Sequence, residues 1–285
     1  MAHATLKLGF SPCPNDTFMF HALVHGLVTV PGVSFEPVLC DIEELNRRAL
    51  SEDGATRLPL TKMSAATLAL CADRYVALSS GAALGRGVGP LVVVRAGDRR
   101  RGLEDLAGAR VAIPGRHTTA NLLLSVLVPR APTTVEMRFD LVMEAVASGA
   151  VDAGVVIHES RFTYTAHGLA CLADLGVLWE QRSGLPLALG VIAADRGLPS
   201  ELRRNLARGI ADSVRHAFAQ PSASRDYVRA HAQEMAEDVC ARHIALYVNE
   251  FSVGLGDEGR RALRELVARA RERGFAPLGP DPLGD

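Results

Sequence analysis

Leu6-Lys7-Leu8-Gly9-Phe10-Ser11-Pro12-Cys13-Pro14-Asn15-Asp16-Thr17-Phe18 is the stretch from which the fold class follows. Leu6 to Phe10 reads as a short strand, which Ser11-Pro12-Cys13-Pro14 breaks. A helix then opens near Asn15 and Asp16, both of a type that caps helices, with Phe18, Ala22 and Leu23 on its apolar face. Outward from there the unit repeats. Residues 33–39 read as a strand and 41–50 as a helix capped by Asp41. Residues 61–72 read as a second helix and 75–78 as a strand. Alternation of this kind predicts an α/β chain with a mostly parallel sheet.

A second set begins after Gly81, Gly85, Gly87, Gly89 and Pro90. Leu91 to Val94 is a continuous apolar run of the sort found in buried strands. Strands at 111–113, 134–139, 153–157 and 187–194 alternate with helices at 120–127 and 141–147. Beyond 200 the pattern turns helical: Leu202, Leu206, Ile210, Val214 and Phe218 recur every fourth residue. Further helices are expected near 222–231, 237–249 and 257–273, the last capped by Asp257 and closed by Gly274, with a loose tail from Gly279 to Asp285. The expected architecture is two α/β lobes: residues 1–92 with 193–285 forming the larger and 93–192 the smaller. A ligand cleft lies between them, and a helical C-terminus returns to the first lobe. In such a fold the ligand sits against strand ends and helix N-termini.

Composition removes whole classes of function. Lys and Arg number 31 against 32 Asp and Glu, a net charge of −1 over 285 residues, so no global charge draws the chain to nucleic acid. No apolar run approaches the roughly 18 residues that cross a bilayer. Five cysteines without a CxxC pair, and a first segment that reads as a strand instead of a signal peptide, predict a reducing, cytoplasmic setting. Gly85-Arg86-Gly87-Val88-Gly89 has the wrong spacing for a dinucleotide fingerprint, and His158-Glu159-Ser160-Arg161-Phe162 departs from HExxH at its fifth position. His21 and His25, four apart on a helix, have no evident third ligand, so an ordinary helix face is favoured over a metal site.

Three junctions carry chemistry. At Gly115-Arg116-His117-Thr118-Thr119 a helix N-terminus gathers free N–H groups, and the two hydroxyls either donate to a carboxylate or simply cap the helix. At Leu60-Thr61-Lys62-Met63-Ser64, Lys62 and Ser64 either engage an anion or serve as a solvated lysine beside a cap. At Val155-Val156-Ile157-His158 a buried strand delivers an imidazole to its C-terminal end, where it acts on a ligand or bonds nearby backbone. Cys13 is either a thiolate nucleophile or, the favoured reading, a small residue filling a tight turn. For Trp179 and Tyr164, packing is favoured over stacking on a ligand.

The block from Gly9 to Phe18, with Leu58-Pro59-Leu60-Thr61-Lys62, Gly85 to Val92, Pro114 to Ala120 and His158 to Tyr164, resembles the 1,4-dihydroxy-6-naphthoate synthase family of the futalosine route to menaquinone. The resemblance is dense over residues 5 to 195 and looser beyond. It implies a type II periplasmic-binding-protein-like fold and a lyase that opens cyclic dehypoxanthinyl futalosine. By the same resemblance His158 is the proton acceptor, Lys62, Met63 and Ser64 line one side of the substrate site, and Thr118 and Thr119 line the other. It implies a small carboxylated substrate and no metal or organic cofactor. Two other readings stand beside it: a non-catalytic carboxylate-binding protein, and the sister enzyme chorismate dehydratase.

Overall fold

The computed structural model describes residues 4–232 and 236–284, so the expectations touching residues 1–3 and Asp285 lie outside it. Along the chain come β1 (Ala4–Phe10), α1 (Pro14–Val24), β2 (Val33–Leu39), α2 (Ile42–Leu50), β3 (Leu60–Ser64), α3 (Ala65–Leu70), β4 (Tyr75–Ala77) and β5 (Ala83–Gly85). Then follow β6 (Leu91–Arg95), β7 (Arg110–Ile113), α4 (Thr119–Leu127), β8 (Thr133–Glu136), α5 (Val142–Ala147), β9 (Ala153–Val156), α6 (Ser160–Thr163), β10 (Leu169–Asp174) and α7 (Leu175–Ser183). Strand β11 (Leu187–Asp195) leads to α8 (Ser200–Ala219), α9 (Arg225–His231), α10 (Glu237–Tyr247), α11 (Glu250–Val253) and α12 (Gly256–Glu272).

Two sheets result, ordered β2-β1-β3-β11-β4 with β5 on β11, and β10-β6-β9-β7-β8. Each is mixed, not mostly parallel. β1 runs with β2 and β3, and β7 runs with β8 and β9, but β11 opposes β3 and β6 opposes β9. The reason is topological: β6 and β11 are the strands that cross from one sheet to the other, and each enters its new sheet reversed.

Local readings needed four corrections. Residues 60–64 form a fully buried strand, not the start of a helix, and only Ala65–Leu70 is helical. Helix α1 begins at Pro14, whose fixed φ suits a first turn, so Asn15 and Asp16 lie inside that turn as buried side chains and cap nothing. Asp257 likewise sits within α12. The tail is anchored: Ala77 N donates to Pro282 O at 2.8 Å, Arg264 pairs with Asp281 at 2.6 Å, and Leu283 is buried.

The packing follows the apolar periodicities. Leu206, Ile210 and Val214 of α8 meet Phe10, Phe20 and Ile192 under the first sheet, while Phe218 runs past its edge and is exposed. A continuous core joins α3, α4 and α12 to strands of both sheets through Leu68, Val92, Leu123, Val191 and Leu263. The crossing into β6 is riveted by Arg161, which donates to Gly89 O (2.7 Å) and to the Asp174 carboxylate (2.6 Å). There Gly176 approaches so closely that a Cβ would stand 2.2 Å from Val88 O. Gly176→Ala is therefore expected to lower stability by about 1–3 kcal/mol in urea unfolding, because backbone opposes backbone and nothing flexible can yield.

Candidate active site

The C-terminal ends of β1, β3, β7 and β9 all open on one cleft between the sheets, the position where open α/β sheets place ligands. It holds about 650 Å³ of empty space, its mouth included, within the ordinary range for small-molecule sites of roughly 300–1,000 Å³. β1 leads to Ser11, Asn15 and Asp16; β3 gives Lys62 and Ser64; the turn after β7 gives Thr118 and Thr119; β9 gives His158; and α10 returns His243 and Tyr247. Five of the six residues singled out in sequence thus meet here. Met63 does not: strand alternation turns it to the opposite face from Lys62 and Ser64, fully buried with its sulfur 4.0 Å from Cys71 Sγ.

The cleft wall is a charge network. Lys62 Nζ is paired with Asp16 Oδ1, both side chains buried, so the anion that this lysine meets is internal. Asp16 Oδ2 also accepts from Ser11 N and Ser11 Oγ, and Oδ1 accepts from Asn15 Nδ2 at 2.8 Å. With its amide N–H₂ so committed, Asn15 turns its oxygen to His243 Nε2, 3.0 Å away. His243 is fully buried, and burial, then His158 and Lys62, hold its pKa well below the usual imidazole range. A neutral ring that donates from Nε2 keeps a lone pair on Nδ1.

His158 occupies the left-handed region at φ 55°, the only non-glycine residue there among the described ones. Such a conformation costs of order 1–3 kcal/mol and survives where its surroundings over-determine it. Phe139 meets the ring edge-on at 4.9 Å, and His243 stacks on it at 6.1 Å with planes 14° apart. Nδ1 lies 3.6 Å from Cys13 Sγ, while Nε2 has no protein partner. Burial, with Glu159 and Asp16 adding to it against Ser11 and Lys62, pushes the Cys13 thiol well up, so it stays protonated near neutrality. That disfavours a thiolate nucleophile.

The threonines are already occupied. Thr118 Oγ1 donates to Gly115 O (2.7 Å) and accepts from Asn121 N, capping α4; Thr119 Oγ1 donates to Leu189 O (2.7 Å). What they present to the cleft is the first turn of α4, whose N–H groups lack intrahelical acceptors. Ser64 Oγ accepts from Asn46 Nδ2 (3.0 Å), and among the described residues no protein group takes its own proton. Thr118→Ala is expected to cost about 0.5–2 kcal/mol and weaken ligand binding, while Thr118→Ser keeps both; thermal unfolding and calorimetry check this.

The other options resolve elsewhere. Trp179 is buried and donates to Pro186 O, and Arg86 pairs with Glu258 outside the cleft. His21 and His25 lie 4.4 Å apart with tilted rings beside Tyr227. His243 and Tyr247 were missed in sequence. Their signal is the run Val239, His243, Tyr247, a buried stripe at spacing four with a titratable group in it. Tyr164 packs with the second sheet's core.

A family model described as menaquinone biosynthesis matches residues 6–272. The chain belongs to that family. The 1,4-dihydroxy-6-naphthoate synthase of Thermus thermophilus is 54% identical over 98% of both chains. The Streptomyces coelicolor protein of the same name is 46% identical over 99% of both. Among solved structures, an Archaeoglobus fulgidus protein superposes with a TM-score of 0.86 at 35% identity, covering 95% of this chain and 98% of that one. The periplasmic aliphatic sulphonate binding protein of Escherichia coli reaches 0.70 at 14% identity over 98% and 90%, which establishes the two-lobed binding-protein fold. No helix among the described residues is long and apolar enough to cross a membrane.

Proposed function

We propose that this member of the menaquinone biosynthesis family is a 1,4-dihydroxy-6-naphthoate synthase, a carbon–carbon lyase that opens cyclic dehypoxanthinyl futalosine with His158 as general base. The observation that carries the reading is near full-length identity of 54% to a relative of that name. The cleft's chemistry supports it. The substrate carboxylate docks on the first-turn N–H groups of α4, with Ser64 donating and Lys62 alongside; Thr118 and Thr119 hold that turn in place. The backbone of Met63 supports this wall from behind. His158 Nε2, whose lone pair is unclaimed, takes a proton made acidic by a neighbouring carbonyl. The sugar-derived portion then leaves as the naphthalene ring aromatises. Closure over the substrate excludes water and strengthens each polar contact.

The ligand in this reading is a small carboxylate, with neither nucleic acid nor membrane as partner. The compartment in this reading is the cytoplasm, in keeping with five cysteines that include no CxxC pair. In this reading the lobes are residues 1–92 with 193–285 and residues 93–192, with the cleft between them. Mass-spectrometric analysis after incubation with cyclic dehypoxanthinyl futalosine tests the function. Formation of 1,4-dihydroxy-6-naphthoate is expected. Intact substrate with a raised melting temperature points to a binder instead, and turnover of chorismate to the dehydratase.

A further inference from the structure

Two polar atoms beside the cleft stand in an arrangement that proton transfer to His158 leaves unused. Glu159 Oε2 and His243 Nδ1 are both buried, neither has a hydrogen-bond partner, and they face each other at 3.8 Å. Because Asn15 accepts the Nε2 proton of His243, the pair is a carboxylate oxygen opposite a ring lone pair, two acceptors aimed at each other. Beside them, one ligand atom each from Cys13, His158 and Glu159 lies within 4.8 Å of the others, with Cys13 Sγ 3.6 Å from His158 Nδ1.

We propose that Cys13, His158, Glu159 and His243 form a binding site for one borderline-soft divalent cation of the zinc type. The spacing fits. With Zn–S of about 2.3 Å and Zn–N or Zn–O of about 2.0–2.1 Å, tetrahedral angles place sulfur and nitrogen about 3.5 Å apart and nitrogen and oxygen about 3.4 Å apart. The support shell fits as well, since a metal-binding histidine commonly donates its other ring N–H to an oxygen, as His243 does to Asn15. A thiolate and a carboxylate neutralise the two positive charges. On binding, the Cys13 S–H gives its proton to solvent and its sulfur lone pair to the metal; no oxidation state changes. With Nδ1 of His158 on the metal, the ring's proton must sit on Nε2, so the lone pair assigned to proton abstraction is lost. The cation is thus an inhibitor of the proposed synthase; this consequence rests on that reading, whereas the site itself does not.

The experiment reads binding, not turnover. Chelator-treated full-length protein is titrated with zinc chloride in a calorimeter and, separately, with cobalt(II) in a spectrophotometer. One equivalent of zinc is expected to bind, and the cobalt adduct to show a thiolate-to-metal charge-transfer band. Cys13→Ser, which keeps a small polar group before α1, should remove the band and weaken zinc by at least about tenfold, as a soft ligand is lost. Glu159→Gln should weaken zinc comparably; circular dichroism checks that both variants fold. Absence of one-to-one binding, a cobalt adduct without the band, or a variant that binds as tightly as wild type overturns the proposal.

Discussion

His158→Ala is expected to lower kcat by about 10²–10⁴, the usual contribution of a positioned general base, with KM changed little. No neighbour can take over. Cys13 is held as a thiol by burial, and His243 spends its only N–H on Asn15 and keeps its Nδ1 lone pair toward Glu159, away from the ligand. Binding should survive, because the proposed carboxylate dock is built from α4 and β3, not from β9. Single-turnover kinetics beside calorimetry with product separates the two effects. A variant retaining kcat within a few-fold would take His158 out of the proton transfer.

Lys62→Met is expected to be the most destabilising single change, at about 3–5 kcal/mol in urea unfolding. The magnitude comes from what is left behind. Asp16 is 0% exposed, and its carboxylate would keep three neutral donors but lose the one cation that balances it. Removing both charges with Lys62→Met and Asp16→Leu should recover much of that loss, since a buried ion pair exchanged for packed apolar groups is often close to neutral. If the single variant unfolds at the wild-type midpoint, the pair is not the support of the cleft wall that its burial suggests.

How much of this was readable beforehand depended on whether a signal was local. The strand–turn–helix units of 4–24 and 110–127 announce themselves, because their breakers, caps and apolar faces lie within a dozen residues. Residues 60–64 do not. Leu-Thr-Lys-Met-Ser followed by Ala-Ala-Thr-Leu-Ala has helical composition, and only pairing with β1 and β11 on either side makes it a strand. Met63 entered only through the family resemblance, and on this strand period-two alternation turns it to the face opposite Lys62 and Ser64. Asn15 and Asp16 were noticed but taken for caps; their partners, Lys62 and His243, lie 46 and 228 residues away. β10 and α7 escaped notice because the run Leu169–Ser183 mixes short apolar stretches with no sustained period. His158 was legible because a buried strand ending on a histidine is a placement that sequence alone can display.

The left-handed backbone at His158 has an evolutionary consequence. Glycine adopts φ near 55° without the steric penalty of a Cβ, so His158→Gly should relieve that strain even as it deletes the proposed base. Selection for thermal robustness alone would push this codon away from histidine. If His158 is the proposed base, a library ranked by melting temperature should collect inactive proteins at this one position, so the histidine is held there by selection for the reaction and not for stability.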